Sequence, residues 1–227
     1  MKFDLHLHTV YSAETKWPFE SIIKPLDLVK TTIKRNMDGI AVTDHDTLKG
    51  VSECLKIVNQ RKLDLKIIAG IEITSEKGHI LGLGIEEWDG SKKRSAEETI
   101  DVIGESGGVA VAAHPFASNP FRKSVGDDLG KFDFDGIETL NYRTSKKANQ
   151  IASKVAKKLD IGVTAGSDAH IISDIGKVWT VCDGEDIIKA VRMQNTKVFG
   201  SEMSDFKRYT YQLHKILELS KISLPSV

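Results

Sequence analysis

Cysteine is scarce in this 227-residue chain, and charge of either sign is balanced. Cys54 and Cys182 are too few and too far apart for a disulfide framework or a CxxC site, so we expect two buried thiols in a reducing compartment. The 32 basic and 32 acidic residues cancel, which argues against a protein that coats nucleic acid or lies on a membrane. We see neither a signal peptide nor an apolar run of the roughly 18 residues that span a membrane. These absences lead us to expect a cytoplasmic protein.

Short apolar runs alternate with amphipathic stretches, and no linker, repeat or low-complexity tract marks a domain boundary. We therefore expect one α/β domain over residues 1–227, built from parallel β/α units. The stretch 115–134 lacks a clear period and is predicted to be a long loop over the functional site. Strands are predicted at 2–8, 39–44, 65–73, 79–85, 108–113, 136–141, 161–166 and 178–182. Helices are predicted at 20–36, 47–62, 95–106, 144–160, 185–195 and 205–221.

Six of the seven histidines lie in short motifs, most of them beside an acid or another histidine. Most of these motifs fall at predicted strand ends, where barrel-type α/β proteins collect their chemistry. The set holds too many nitrogen and oxygen donors for one ion, so it predicts a multinuclear metal centre and a hydrolase. The motifs are Asp4-Leu5-His6-Leu7-His8-Thr9, Thr43-Asp44-His45-Asp46, Gly70-Ile71-Glu72, Gly78-His79, His114-Pro115 and Ser167-Asp168-Ala169-His170.

The first motif has the spacing of a strand that binds metal along one face. Strand side chains alternate, so His6 and His8 point the same way and can bind one ion. Glu72 could bridge two ions, whereas His79 and His114, each taken alone, would more often be structural. Mixed imidazole and carboxylate donors suit Zn²⁺, Mn²⁺ or Fe²⁺ better than Mg²⁺.

Together, Asp-x-His-x-His-Thr, Thr-Asp-His-Asp, Gly-Ile-Glu, His-Pro and Ser-Asp-Ala-His resemble the sequence blocks of the polymerase and histidinol phosphatase (PHP) family, from residue 4 to about 170. The resemblance implies a distorted (β/α)7 barrel with three divalent metal ions at the C-terminal ends of the strands. Where this chain has Glu14, some members of that family have histidine. The resemblance assigns His6, His8, Glu72 and Asp168 to the first ion, Glu72, His79 and His114 to the second, and Glu14, His45 and His170 to the third.

The expected reaction is hydrolysis of a small phosphate ester by a metal-bridging hydroxide. Asp44 and His170 are candidates for proton transfer, although Asp44 could instead orient an imidazole. Arginine matches phosphate oxygens well, and members of the family resemble this chain in supplying one near Arg143. Arg122, on the long loop, and Asn141 are further candidates for contacting the substrate. Histidinol phosphate, a nucleotide and a nucleotide bisphosphate all remain open as substrates.

Two other interpretations remain open. One is a metal-dependent nuclease or amidohydrolase on a related barrel, although such enzymes usually lack the Thr-Asp-His-Asp block. The other is a non-catalytic metal-binding module, although the full ligand set argues against it. No extended basic or aromatic surface suggests nucleic-acid binding, which favours a small phosphorylated substrate. The predicted helix 205–221 would close the base of the barrel or contact another subunit, and the oligomeric state stays open.

Overall fold

A computed structural model describes residues 1–14, 20–90, 94–117 and 124–222. Within these ranges, nine strands form one mixed sheet in the order β7-β6-β5-β4-β3-β2-β1-β8-β9. The strands are β1 (Lys2–Leu7), β2 (Gly39–Val42), β3 (Lys66–Thr74), β4 (His79–Leu83), β5 (Val109–Ala112), β6 (Gly136–Asn141), β7 (Gly162–Gly166), β8 (Val178–Cys182) and β9 (Thr196–Gly200).

Seven α-helices connect or follow these strands within the described residues. They are α1 (Pro25–Lys34), α2 (Lys49–Arg61), α3 (Ala96–Glu105), α4 (Lys146–Leu159), α5 (Ile187–Arg192), α6 (Asp205–Tyr209) and α7 (Tyr211–Ile222). Short 3₁₀ segments lie at Val10–Glu14, Gly126–Lys131 and Ile172–Asp174. None of the helices in the described ranges is long and apolar enough to cross a bilayer.

The sheet from β1 to β7 curls into a nearly closed barrel, because the segment after β7 returns to the end of β1. Leu7 forms a parallel bridge with Ala169, and the Asp168 N–H donates to the His6 carbonyl at 2.7 Å. On its other side, β1 pairs antiparallel with β8. The predicted barrel is therefore confirmed, and its closure brings the first and last sequence motifs into contact.

β4 departs from the expected parallel arrangement, since it runs antiparallel to both β3 and β5. Only Ser75–Gly78 separates β3 from β4, and the Ser75 N–H and Gly78 carbonyl are hydrogen-bonded at 3.1 Å. A connection this short makes a hairpin and cannot hold a crossover helix. The reversal places His79, the first residue of β4, opposite Thr74 at the end of β3.

Three other sequence expectations need correction. β9 was not predicted, and it continues the sheet as an antiparallel neighbour of β8. The first predicted helix begins only at Pro25, since proline fits the first turn of a helix but not its interior. The predicted helix 205–221 is divided at Thr210 into α6 and α7.

The core forms as the strand pattern predicts. Phe3, Leu5 and Leu7 alternate with the motif residues of β1 and are fully buried on the opposite face. Cys54 and Cys182 are both free and buried, as expected. The short strand β5 consists of small apolar residues and is buried along its whole length, as is typical of strands that helices cover.

Candidate metal centre

His6, His8, Glu72 and Asp168 meet at one end of the barrel, all nearly fully buried. His6 Nε2 lies 3.2 Å from His8 Nε2, and Glu72 Oε2 lies 3.3 and 3.2 Å from these two nitrogens. Asp168 Oδ1 is 4.0 Å from His6 Nε2 and 3.6 Å from His8 Nε2. Two imidazole nitrogens and two carboxylate oxygens therefore converge on one point.

Glu72 is the centre of the arrangement because its two oxygens face different histidines. Oε1 is 2.8 Å from His79 Nδ1 and 3.0 Å from His114 Nε2. Oε2, which faces His6 and His8, is also 3.4 Å from His45 Nδ1. A bridging carboxylate has this geometry: each oxygen serves its own group of imidazoles.

A third group of donors involves a residue that the sequence motifs do not contain. Glu20 Oε1 lies 3.2 Å from His45 Nε2 and 3.9 Å from His170 Nε2. Glu14, the expected carboxylate here, ends the 3₁₀ segment Val10–Glu14, but its side chain lies outside the described part of the structure. Glu20 does not belong to any of the sequence motifs. The sequence feature that could have indicated it is an acidic residue in the segment after the first strand.

The donor spacing fits metal ions. Four-coordinate ions with bonds of about 2.0–2.1 Å hold their ligand atoms about 3.3 Å apart. The distances among His6, His8 and Glu72 are 3.2–3.3 Å. His45 Nδ1 is buried and makes no hydrogen bond within the described residues, although Glu72 Oε2 is only 3.4 Å away. A divalent ion would satisfy both atoms. Among the residues that the structure describes, three overlapping triads have donor atoms within 4.8 Å of one another: His6–Glu72–His114, His6–His8–Asp168 and His8–His45–Glu72.

The electrostatics of the cluster favour metal binding at some donors and require proton release at others. Burial alone would raise the pKa of Glu72, but His45, His79 and His6 hold that pKa well below its usual range. Burial lowers the pKa of His8, and burial together with Arg143 lowers that of His170. Despite their burial, carboxylates raise the pKa of His6 well above its usual range and that of His45 to about 9. Metals require neutral imidazoles, so His6 and His45 would release protons when an ion binds.

Asp44 lies behind the cluster rather than in it. Its carboxylate accepts hydrogen bonds from the Thr9 N–H at 2.6 Å, the Thr9 hydroxyl at 2.7 Å and the Ser12 hydroxyl at 2.9 Å. Ser12 Oγ is in turn 2.9 Å from His8 Nδ1. The link from Asp44 to the candidate ligands therefore runs through Ser12 to His8, as expected of a residue that orients an imidazole.

Arg143, just after β6, lies beside the cluster. Its Nη1 is 3.0 Å from Asp168 Oδ1 and 2.6 Å from His170 Nδ1. Its guanidinium carbon stands 4.6 Å from the centre of the Tyr211 ring. Asn141 is buried and donates to Asp168 Oδ2 at 3.2 Å, so it contacts a candidate ligand. Arg122 lies outside the described residues.

The helix α7 lies near this end of the barrel, so the expectation that it closes the base is wrong, while the alternative, contact with another subunit, stays a prediction. Tyr211 packs against Arg143, and the Glu218 carboxylate accepts the backbone N–H of Ile172 at 3.0 Å. The Lys215 ammonium donates to the carbonyl of Glu20. Three side chains along α7 thus contact segments that carry the candidate site.

Comparison with known proteins agrees with the fold. Residues 146–196 match a family described as PHP-associated. An uncharacterized protein of Methanocaldococcus jannaschii is 38% identical over 166 residues, which cover 70% of this chain and 94% of the relative. A 5′-3′ exoribonuclease of Haemophilus influenzae is 21% identical, over 74% of this chain and 90% of the relative.

A solved structure shares the fold of this chain. It is a two-domain protein of Bacteroides vulgatus that contains a predicted PHP-like metal-dependent phosphoesterase. It superposes with a TM-score of 0.71 at 16% identity, over 88% of this chain and 65% of that chain. The sequence motifs, the nearly closed barrel and these relatives together show that the chain belongs to the PHP family of metal-dependent phosphoesterases.

Proposed function

We propose that this protein, as a single domain over residues 1–227, hydrolyses a small phosphate ester with divalent metal ions held by the buried histidine and carboxylate cluster. The observation that carries the proposal is the convergence of His6, His8, Glu72 and Asp168, with Arg143 beside them. Metal donors and a guanidinium fork together match a phosphate ester better than either does alone.

The donors divide into three groups, and we propose one ion for each. His6, His8, Glu72 and Asp168 would hold the first ion, and Glu72, His79 and His114 the second. His45 and His170 would hold the third with Glu20, whose carboxylate is 3.2 Å from His45, and Glu14 is the alternative carboxylate. The nitrogen and oxygen donors favour Zn²⁺, Mn²⁺ or Fe²⁺. When bound, such ions lower the pKa of water and offset the negative charge of phosphoryl oxygens.

Arg143 would bind and orient the phosphate. Its guanidinium is held between Asp168 and the face of Tyr211, so its position is set before the substrate arrives. His170 lies 2.6 Å from Arg143 Nη1 and 3.9 Å from Glu20; when it does not hold the third ion, it is the better candidate for moving a proton. Asp44 has its oxygens taken up by Thr9 and Ser12, so we assign it the positioning of His8 through Ser12.

The position of α7 favours small esters over long nucleic acid. Tyr211, Lys215 and Glu218 anchor this helix to Arg143, Glu20 and Ile172, beside the cluster. A helix anchored beside the cluster would limit the room for a polymer there, and the Lys215 ammonium would add a positive charge for a phosphate. Exonucleolytic cleavage of RNA, as named for the Haemophilus influenzae relative, is the second candidate function.

The test is phosphate release from small phosphomonoesters and nucleotides, compared with cleavage of short oligoribonucleotides, with Mn²⁺ or Zn²⁺ and with chelator. We expect chelator-sensitive release from one class of small ester, and its loss in His8→Asn with the fold retained. Lys157→Gln, on the exposed face of α4, is the matched control and should keep full activity. Preferential cleavage of oligoribonucleotides would favour the second function, and no hydrolysis by metal-loaded protein would refute both.

A further inference from the structure

Glu138, in the middle of β6, is a buried acid that contacts two candidate ligands from outside the cluster. Its Oε1 lies 2.9 Å from His6 Nδ1. Its Oε2 accepts the backbone N–H of His114 at 2.7 Å and the side-chain amide of Asn141 at 3.0 Å. Its side chain has no exposed surface. One carboxylate can accept from three donors, because its two oxygens together offer about four acceptor sites.

Only one nitrogen of a neutral imidazole carries a proton, so the partner of one nitrogen decides what the other can do. With Glu138 at His6 Nδ1, a neutral His6 ring would keep its proton on Nδ1, which leaves the Nε2 lone pair for a metal ion. His6 Nε2 lies 3.2 Å from His8 Nε2 and 3.3 Å from Glu72 Oε2. A carboxylate behind a metal-binding histidine has this effect in many metalloproteins.

The second contact of Glu138 holds a strained backbone. His114 has a φ of +30°, in the left-handed region that residues with a side chain rarely adopt. Glu138 Oε2 accepts the N–H of this same residue at 2.7 Å, while His114 Nε2 lies 3.0 Å from Glu72 Oε1. The carboxylate thus opposes relaxation of a backbone turn that aims His114 at the centre of the site.

Asn141 extends the same network to a third ligand. Its side-chain amide donates to Glu138 Oε2 at 3.0 Å and to Asp168 Oδ2 at 3.2 Å. The backbone of Gly166 packs closely against this network, because a Cβ added there would lie 2.9 Å from Glu138 Oε1 and 2.1 Å from His6 Cβ. The side chains of Glu138 and His6 therefore have little room to adopt another arrangement on this side.

We propose that Glu138 is a positioning residue that sets the tautomer of His6 and the backbone of His114, so that both present Nε2 to the metal centre. This inference rests on the proposed metal centre, but it concerns metal affinity and imidazole geometry rather than turnover. Its test therefore does not depend on which substrate the enzyme uses.

The test is Glu138→Gln, which keeps the shape but has a single acceptor oxygen for three donors. We expect Zn²⁺ affinity, measured by competition with a chromophoric chelator, to fall 10- to 100-fold. Long-range ¹H–¹⁵N spectra of the zinc-loaded protein should show the His6 Nδ1–H signal shifted or lost. Wild-type affinity with an unchanged His6 spectrum would overturn the inference, even if the enzyme is an active phosphoesterase.

Asp135→Asn is the matched control, since Asp135 precedes the same strand and accepts the Ala110 N–H at 2.8 Å. It lies at the other end of β6 and should leave Zn²⁺ affinity within twofold of wild type. If Glu138→Gln does not fold, Asn141→Ala tests the same hydrogen-bond network. It removes the amide that donates to both Glu138 and Asp168, but it keeps the contact between Glu138 and His6. We expect a loss of about tenfold in affinity with the His6 signal retained; unchanged affinity would refute the network.

Discussion

Replacing Gly166 with alanine tests how closely the barrel must close for the candidate centre to form. A Cβ at this position would lie 2.1 Å from His6 Cβ and 2.8 Å from the His6 backbone nitrogen. Contacts below 3.0 Å are essentially never seen for a real Cβ, and ordinary contact begins at 3.4 Å. Both atoms of His6 are fixed by its backbone, so a change of rotamer cannot relieve the clash. β7 and β1 would have to separate by 1.3 Å, the difference between 2.1 and 3.4 Å.

This separation should affect both stability and metal binding. Overpacking of a close-packed interior costs about 1–3 kcal/mol. Weakening the 2.7 Å hydrogen bond from the Asp168 N–H to the His6 carbonyl adds about 1 kcal/mol. The lower conformational entropy of unfolded alanine returns about 0.4–1 kcal/mol. We therefore expect a net loss of about 1–3.6 kcal/mol in the free energy of unfolding. Ligand atoms moved by more than about 0.5 Å should also bind metal at least tenfold more weakly.

Urea unfolding of the metal-free protein and chelator competition for Zn²⁺ measure the two effects separately. Gly104→Ala is the matched control: it lies in α3, and nothing lies within 4 Å of a Cβ built there. It should gain about 0.5–1 kcal/mol from the helix preference of alanine, with unchanged metal affinity. A Gly166→Ala protein with the wild-type urea midpoint and wild-type Zn²⁺ affinity would refute the reasoning.

Three further perturbations follow from single contacts. Burial raises the pKa of Asp4 from 3.8 to about 6, so the folded state favours its protonated form. The free energy of unfolding of wild type, relative to that of Asp4→Asn, should therefore fall by about 3 kcal/mol as the pH rises from 3.8 through 6. A difference that does not change with pH would contradict this. Lys207 pairs at 2.5 Å with fully buried Asp174, so Lys207→Met should lower the free energy of unfolding by about 3 kcal/mol, with Lys207→Arg near wild type as the control. Arg143→Lys keeps the positive charge but loses the two-pronged guanidinium, so the KM for the phosphate ester should rise about tenfold. Bound metal, measured by elemental analysis, should be retained. An unchanged KM would exclude a contact between Arg143 and the phosphate.

The parts of the site that the sequence predicts are those set by local geometry. The alternation of β1 predicts that His6 and His8 share a face, and their Nε2 atoms are 3.2 Å apart. The reversal of β4 was missed, although the short gap between the predicted strands 65–73 and 79–85 favours a hairpin over a crossover. Strand–helix alternation alone does not report strand direction across such a gap.

Contacts set by the closure of the barrel could not be predicted in the same way. Glu138 reaches His6 across 132 positions of the chain, and its place on an apolar strand is equally consistent with a core or capping role. Glu20 reaches His45 through a return of the chain after the first 3₁₀ segment, and no repeating pattern encodes that return. Both residues act on the site through tertiary contacts, for which spacing along the sequence carries no signal.

The helix α7 links the substrate preference to this same geometry. Tyr211 sets the Arg143 guanidinium from one side while Asp168, a candidate metal ligand, sets it from the other. Lys215 contacts the backbone of Glu20, whose carboxylate faces His45 and His170. A displacement of α7 would therefore move the proposed phosphate-binding cation and disturb a candidate ligand of the third ion together. With the roles proposed for these groups, phosphate binding and occupancy of the third ion should be coupled, since one helix contacts the residues assigned to both.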